Sequence, residues 1–302
     1  MKDNVDVLLA TYNGATYLEE MLQSLLEQQD VVVNLIVSDD GSIDDTLKIL
    51  KSYKTKFSSF QINKGPGNGP AKNFLSMLPK TRSPFIAFAD QDDIWNPNHL
   101  KHSIRRIKSE QGDIPILTFS QVSHFGDTLM KENYWPNSIP SHFSGYFAQN
   151  FARGCTIVFN RRLKDILIEN EIENMIMHDW WALLIALGTG KVMFEPAVEV
   201  LYRIHANNYI GFKGTSRFAF LKEAKPRRWA PLTQIKDIRR VGASSLSEEF
   251  ILSSDQFISG VSGPLITRLS YAIGSKHKLR QSVFDELILR IGIIAYPLIF
   301  DA

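Results

Sequence analysis

Cysteine is almost absent from this chain: Cys155 is the only one among 302 residues. That excludes an intrachain disulfide framework and a cysteine-based zinc site, and it fits a reducing compartment. Charge of one sign is also scarce. The formal net charge is +2, too small for the electrostatic footprint of a nucleic-acid binder, so no nucleic acid is expected as a partner. No run of about 20 uninterrupted apolar residues occurs, so no spanning helix is expected. Met1 is followed by polar Lys2, Asp3 and Asn4 and then only a short apolar run, so no signal peptide is expected either, and the expected location is the cytoplasm. Internal repeats and long low-complexity linkers are missing as well. What is present is an ordinary globular composition, 44% hydrophobic and 22% charged, enough to bury a sizeable core. The length suits one large domain, or a main domain of roughly 200 residues with an extension.

The first hundred residues alternate between two periodicities. "VDVLLA" (5–10) is a short apolar, β-branched run, and "TYLEEMLQSLLEQQ" (16–29) carries Leu18, Met21, Leu22, Leu25 and Leu26 at helical spacing. The pattern repeats in "VVVNLIVS" (31–38) and "IDDTLKILKSY" (43–53), where Ile43, Leu47 and Leu50 mark a helical stripe. A short strand near 57–62, a Gly/Pro/Asn loop at 63–70, a helix at 71–78 and a strand at 84–89 complete the series. Buried strands alternating with helices predict a mainly parallel α/β sheet, Rossmann-like and covered on both faces. Ligands of such sheets bind beyond the carboxyl ends of the strands.

Three polar clusters fall at those ends: "ATYNG" (10–14), "SDDGS" (38–42) and "DQDD" (90–93). Each alone suits a turn or helix cap. "DQDDIWNPNHL" lacks the alternating oxygen ligands and closing Glu of an EF-hand loop. Together, carboxylates at two strand ends on one sheet edge suit a ligand with hydroxyl or imide donors at one end and a cation-bound diphosphate at the other, which describes a nucleotide-sugar.

"VDVLLATYNGATYLEEMLQSLLEQ", "LIVSDDGSIDDT", "NKGPGNGPAKNF" and "FIAFADQDDIWNPNHL", in that order and spacing, resemble the GT-A-fold glycosyltransferases of family 2. "RGCTIVFNRRL", "MHDWW" and "LYRIHANNYIG" are similar to its bacterial rhamnosyltransferase-like branch. The resemblance covers roughly residues 4–212. It implies a GT-A domain over 1–212, with a nucleotide-sugar half at about 1–95 and an acceptor half at about 96–212. It further implies that Thr11, Tyr12, Asn13, Asp39 and Asp40 hold base and ribose with Lys72 and Asn73 nearby, and that Asp90-Gln91-Asp92 is the Asp-x-Asp motif.

A nucleoside diphosphate leaves more readily when a hard divalent cation bridges its phosphates. Mn²⁺ or Mg²⁺ is therefore the expected cofactor, with Asp92 as direct ligand, Asp90 toward ribose, and His205 as a second protein ligand, since Mn²⁺ also accepts imidazole. The resemblance puts the catalytic base at Asp179, preceded by His178 where the family more commonly has Glu. Asp93, Trp95, Gly154, His178, Trp180 and Trp181 are the acceptor-side candidates, the tryptophans because flat apolar rings match sugar C–H faces. The family's usual Gln-x-x-Arg-Trp element is absent, and "YRIHANN" occupies the comparable place. The expected reaction is inverting transfer of one sugar, L-rhamnose from a dTDP donor or a hexose or N-acetylhexosamine from a UDP donor, to a lipid-linked glycan. A non-catalytic nucleotide-sugar-binding subunit is the alternative.

After about residue 213 the chain turns basic and aromatic, and it closes on the apolar "VFDELILRIGIIAYPLIF" (283–300). Residues 213–302 are expected to form a helical extension. It either lies on an anionic membrane surface at the inner face of the cell membrane, or packs on the main domain or in a homodimer.

Overall fold

The computed structural model describes residues 2–126, 139–171, 173, 175–205, 208, 225–241, 245–275 and 277–295. β1 (Asp3–Thr11), β2 (Val31–Asp39), β3 (Ser59–Lys64) and β4 (Phe85–Asp90) alternate with α1 (Leu18–Leu26), α2 (Thr46–Tyr53) and α3 (Pro70–Met77). All pairings among these four strands are parallel. Ile43 does not join the α2 stripe as its spacing suggested and is 92% exposed. The Asp44 carboxylate accepts the amide and hydroxyl of Thr46 and makes residues 43–45 a turn, because a short acidic side chain competes with the helix for backbone donors.

The second half extends the same sheet. β5 (Ile94–Trp95), α4 (His99–Lys108), β6 (Ile116–Gly126), α5 (Phe143–Ala148), β7 (Val158–Asn160), α6 (Arg161–Glu169), α7 (His178–Thr189) and β8 (Lys191–Ile204) follow in order. The sheet has 8 strands in the order β3-β2-β1-β4-β7-β6-β8-β5. β7 runs antiparallel to β4 and β6, while β8 returns parallel to β6. Successive side chains of a strand point to opposite faces, and β1 shows the consequence. Val5, Val7 and Leu9 pack with α1, α2 and α4 residues such as Met21, Leu50 and Ile104. Leu8 faces the other way, into a cluster with Phe74 of α3, Leu163 of α6 and the whole apolar side of α7.

Four helices complete the described chain: α8 (Lys225–Val241), α9 (Glu248–Ser262), α10 (Leu265–Gly274) and α11 (Val283–Ile294). The extension is helical, as its sequence suggested, and it shares the second cluster: Ile235 and Ile238 of α8 and Phe250 and Phe257 of α9 are buried with α7. Close approach requires Gly188, where an added Cβ would stand 2.5 Å from Leu246 and 3.2 Å from Phe250. Gly188 also accepts the Ser247 amide at 2.7 Å, so the start of α9 is tied to the end of α7. Positions 213–224 and 296–302, which hold part of the basic stretch and the apolar end, lie outside the described residues. Among the described residues no helix is long and apolar enough to cross a membrane.

Candidate active site

Strand register sets the site. Ala10 stands opposite Ser38 on one side and Asp90 on the other, so Thr11, Asp39 and Asp90 finish on a single rim. Asp39 is only 4% exposed. Its carboxylate accepts the Thr11 and Ser42 hydroxyls at 2.8 and 2.6 Å and the amides of Gly41 and Ser42 at 3.1 and 2.8 Å. Thr11 and Asp39 thus shape the loop at this end of the rim. Gln91 is likewise occupied. Its amide accepts from the Tyr12 amide at 2.9 Å and donates to the Tyr12 carbonyl at 3.0 Å, so it positions Tyr12. Asn13 sits at φ 47°, a left-handed conformation that Asn tolerates, and accepts the Ile43 amide.

Buried Asn73 donates to the Ser38 carbonyl at 2.9 Å and, at Gly65, its Oδ1 stands beside Asp40, while Lys72 pairs with Glu171 at 2.8 Å. The Tyr12 ring, 58% exposed, and the Asp40 carboxylate, which accepts the Gly67 amide, remain open at this end.

The other end of the rim is acidic. Asp92 Oδ2 lies 2.7 Å from His205 Nε2 across 113 residues of sequence, and Asn208 Nδ2 approaches both. The rest of the "HANNYIG" loop lies outside the described residues. A carboxylate beside an imidazole is a donor set that suits Mn²⁺, and a divalent cation can replace the proton the pair shares. Asp90 and Asp93 stand close by with Cys155, one ligand atom from each lying within 4.8 Å of the others. Desolvation, then the charges of Asp92 and Asp179, push Asp90 up to about 7, against the pull of Arg153.

Asp93 is fully buried and raised well above the carboxylate range by desolvation and by Asp92 and Asp90. It accepts the Arg203 amide at 2.9 Å. This overturns Asp93 as an acceptor contact: the carboxylate is an internal latch.

Two arginines complete the cluster, and the sequence reading had not singled them out although both stand inside quoted motifs. Arg203 donates through Nε to the Asp92 carbonyl at 2.8 Å and through Nη2 to Glu20 at 2.9 Å. Its guanidinium lies 4.5 Å from the Tyr17 ring centre and 4.3 Å from that of Phe125, and Tyr17 in turn packs on the His205 ring at 4.8 Å. Arg203 thus clamps both halves of the Asp92–His205 pair. Arg153 lies over the Tyr202 ring at 4.3 Å and lowers both Asp90 and Asp179.

Asp179 opens α7 and is 8% exposed. Burial lifts it to about 6, held back by hydrogen bonds from the Trp180 amide, Asn150 and the Gly154 amide and by Arg153. Gly154 serves that contact. A Cβ on it would stand 3.0 Å from His178 Nε2, so the turn can lie on the start of α7 only with glycine there.

The remaining acceptor-side expectations are corrected by burial. His178 is 2% exposed, stacks on Phe74 at 3.9 Å, and is pushed down to about 3 by desolvation, so it is a neutral packing residue. Trp181 is fully buried, and Trp180 is buried with Nε1 donating to the Tyr146 carbonyl at 2.8 Å. Trp95 packs edge-on to His99 at 4.6 Å beneath the sheet. All three rings are core: Trp180 and Trp181 because α7 is apolar on every side and lies between the sheet and the C-terminal helices, and Trp95 within the cluster on the opposite face of the sheet.

The family model for glycosyl transferase family 2 matches residues 6–167. A dTDP-rhamnosyl transferase, RfbG of Shigella flexneri, is 26% identical over 95% of this chain and 99% of its own length. The poly(ribitol-phosphate) beta-N-acetylglucosaminyltransferase TarS of Staphylococcus aureus is 31% identical over 42% of this chain and 23% of its own. Among solved structures, S. aureus TarS 1–349 in complex with UDP-GlcNAc superposes over 97% of this chain and 80% of its own with TM-score 0.61 and 18% identity. The mannosyltransferase PcManGT of Pyrobaculum calidifontis, in complex with GDP-Man and Mn²⁺, covers 100% of this chain and 88% of its own with TM-score 0.56 and 16% identity. The architecture is the GT-A fold. The chain belongs to glycosyl transferase family 2.

Proposed function

We propose that the chain is a metal-dependent inverting glycosyltransferase that transfers L-rhamnose from dTDP-rhamnose to a growing, lipid-linked cell-surface polysaccharide. The observation that carries the catalytic part is the meeting of Asp92 and His205 at 2.7 Å on the rim that also holds Asp90, with Asp179 close enough to raise its pKa. In this reading residues 1–95 hold the donor, 96–212 the acceptor, and 213–302 form the extension. Tyr12 covers the base with its exposed ring, and Asp40 accepts from base or ribose. Asp92 and His205 would hold Mn²⁺ or Mg²⁺, which when bound supplies positive charge to the diphosphate leaving group. Asp179 takes the proton of the acceptor hydroxyl as its oxygen attacks the anomeric carbon. A base that titrates near 6 is ionised at neutral pH yet still basic enough to accept a proton. Arg153 keeps Asp179 and Asp90 from rising further by opposing their burial.

The choice of donor rests on RfbG, whose likeness runs the length of both chains. A UDP-hexose or UDP-N-acetylhexosamine donor is the second reading, favoured by the TarS match over 42% of this chain. A panel of nucleotide-sugars, assayed by released nucleoside diphosphate with acceptor present, separates these. We expect dTDP-rhamnose to be turned over at least about tenfold more efficiently than any UDP-sugar, the scale of discrimination a shaped sugar pocket supplies. Preference for a UDP-sugar would move the assignment to the second reading. Release from no donor would favour a binding subunit.

A further inference from the structure

We propose that α10 and α11 form an apolar plate that docks the enzyme on an anionic lipid surface. Arg268 of α10 donates to the carbonyls of Ile293 and Ile294, and Arg290 of α11 to that of Ala272. The start of one helix therefore meets the end of the other, and the pair is antiparallel. On α10 the residues turned inward are Arg268 and Ala272, and Leu265, Ile266 and Ile273 stand 52, 81 and 75% exposed. On α11 Ile293 is buried, and Val283, Leu287 and Ile291 are 75, 56 and 57% exposed. A spacing of four keeps Val283, Leu287 and Ile291 on one stripe of α11, and a spacing of seven keeps Ile266 and Ile273 on one stripe of α10.

Each stripe is turned the same way round its helix from the seam between the two. Because the helices run in opposite directions, both stripes come out on the same side of the pair. Ile266, Ile273, Val283, Leu287 and Ile291 thus share one exposed side, an apolar surface of a kind that soluble proteins rarely leave bare without a use.

Two features choose lipid as the occupant. The first is charge. From Leu265 to Ile294 the sequence has only Asp285 and Glu286 as carboxylates, and with Arg268 and Arg290 spent in the seam between the helices the basic residues left are Lys276, His277, Lys278 and Arg280 of the joining turn. Glu286 is consumed internally: it accepts the amides of Leu279 and Arg280 and pairs with Arg290 at 2.6 Å. The turn that joins the helices, "SKHKLRQS", is therefore a basic edge at one end of the plate, with His277 and Lys278 exposed. Aliphatic surface beside lysine and arginine is what an interfacial segment offers to anionic headgroups.

The second feature is composition. Protein interfaces draw their affinity from Trp, Tyr and Arg, whereas the plate is built from Leu, Ile and Val with a single aromatic beside them, Phe284, 46% exposed. Those residues need only a hydrocarbon medium and no shaped partner. The proposal deepens the lipid-linked acceptor reading and rests on it for its purpose, since docking would bring the rim to an acceptor held in the bilayer.

The test is flotation of the full-length enzyme with vesicles of phosphatidylcholine alone and of phosphatidylcholine with phosphatidylglycerol. We expect binding to the anionic vesicles that weakens with salt. Ile266→Glu combined with Leu287→Glu should reduce it at least about tenfold, because two apolar insertions are exchanged for charges repelled by the surface. Lys278→Glu alone should reduce it and flatten the salt dependence. All these positions are exposed, so melting temperature and transfer to a water-soluble acceptor should not change, and loss of transfer with binding intact would count against the function and leave the plate standing. Binding that the double variant leaves untouched would overturn the proposal. So would an absence of binding with a dimer in solution that the double variant dissociates, which would make the plate a protein interface.

Discussion

Asp179→Asn should cost about 10² to 10⁴ in turnover, the usual worth of a positioned general base, while donor and metal affinity stay near those of the parent. The amide keeps the size of the carboxylate and can still accept from the Trp180 amide, which lies 2.7 Å from Asp179 Oδ1. It cannot take a proton at neutral pH. The loss belongs in kcat because the base acts on the acceptor hydroxyl as it attacks.

The same group fixes the acid side of the pH profile. Burial first, opposed by the bonds from Trp180, Asn150 and Gly154, holds it at about 6. Turnover should therefore fall as pH drops through about 6.

Stability should run the opposite way. The folded pKa exceeds the ordinary value of 3.8, so the stability the group contributes is fully present below the unfolded value and is lost as pH rises through about 6. Asp179→Asn should then raise the melting temperature at pH 8 and leave it little changed at pH 4. The gain is bounded by about 3 kcal/mol for a shift of roughly two pKa units. A melting curve that the substitution shifts equally at both pH values would show that the carboxylate is not held at a cost.

Chelation should abolish transfer, and Mn²⁺ or Mg²⁺ should restore it. Asp92→Ala should lose most activity in a folded protein, since it removes the carboxylate that meets His205 on the rim. His205→Ala should raise the Mn²⁺ concentration needed for half-activity. Arg203→Met should do the same by about 10- to 100-fold, the range for groups that orient a metal ligand without touching the metal. Electron paramagnetic resonance of added Mn²⁺ reads these affinities without turnover and separates a displaced ligand from a slowed reaction. Full activity in excess chelator would remove the metal from the mechanism.

The fold was legible because its signals are local. The short apolar, β-branched runs at 5–10 and 31–38 and the helical spacing of Leu18, Met21, Leu22 and Leu25 needed no distant partner to be read, and they correspond to β1, β2 and α1. The positions of the site groups along the chain were legible for the same reason: polar clusters that follow buried strands end on one rim. What each side chain does there depends on residues far away in sequence, and that was harder to see. Sequence does not show that Thr11 and Asp39 spend bonds on each other and on Ser42. Trp180 and Trp181 suggest a sugar platform until the C-terminal helices are placed outside α7 and close over it. Arg203 and Arg153 carried no signal of their own, because an arginine gives no hint of which carboxylates it will face across the sheet. The apolar segment at 283–300 suggested a helical extension and α10 was not read, and only the antiparallel pairing of α10 with α11 shows that their apolar stripes share a side.

The most direct test of the central claim is the anomeric configuration of the product, read by NMR after transfer from a defined nucleotide-sugar to a synthetic acceptor. Single displacement with Asp179 as base predicts that every linkage formed has the configuration opposite to the donor's, and that Asp179→Asn yields the same linkage only slowly. A product that retains the donor configuration would contradict the account, because it would require two displacements or attack from the leaving-group face.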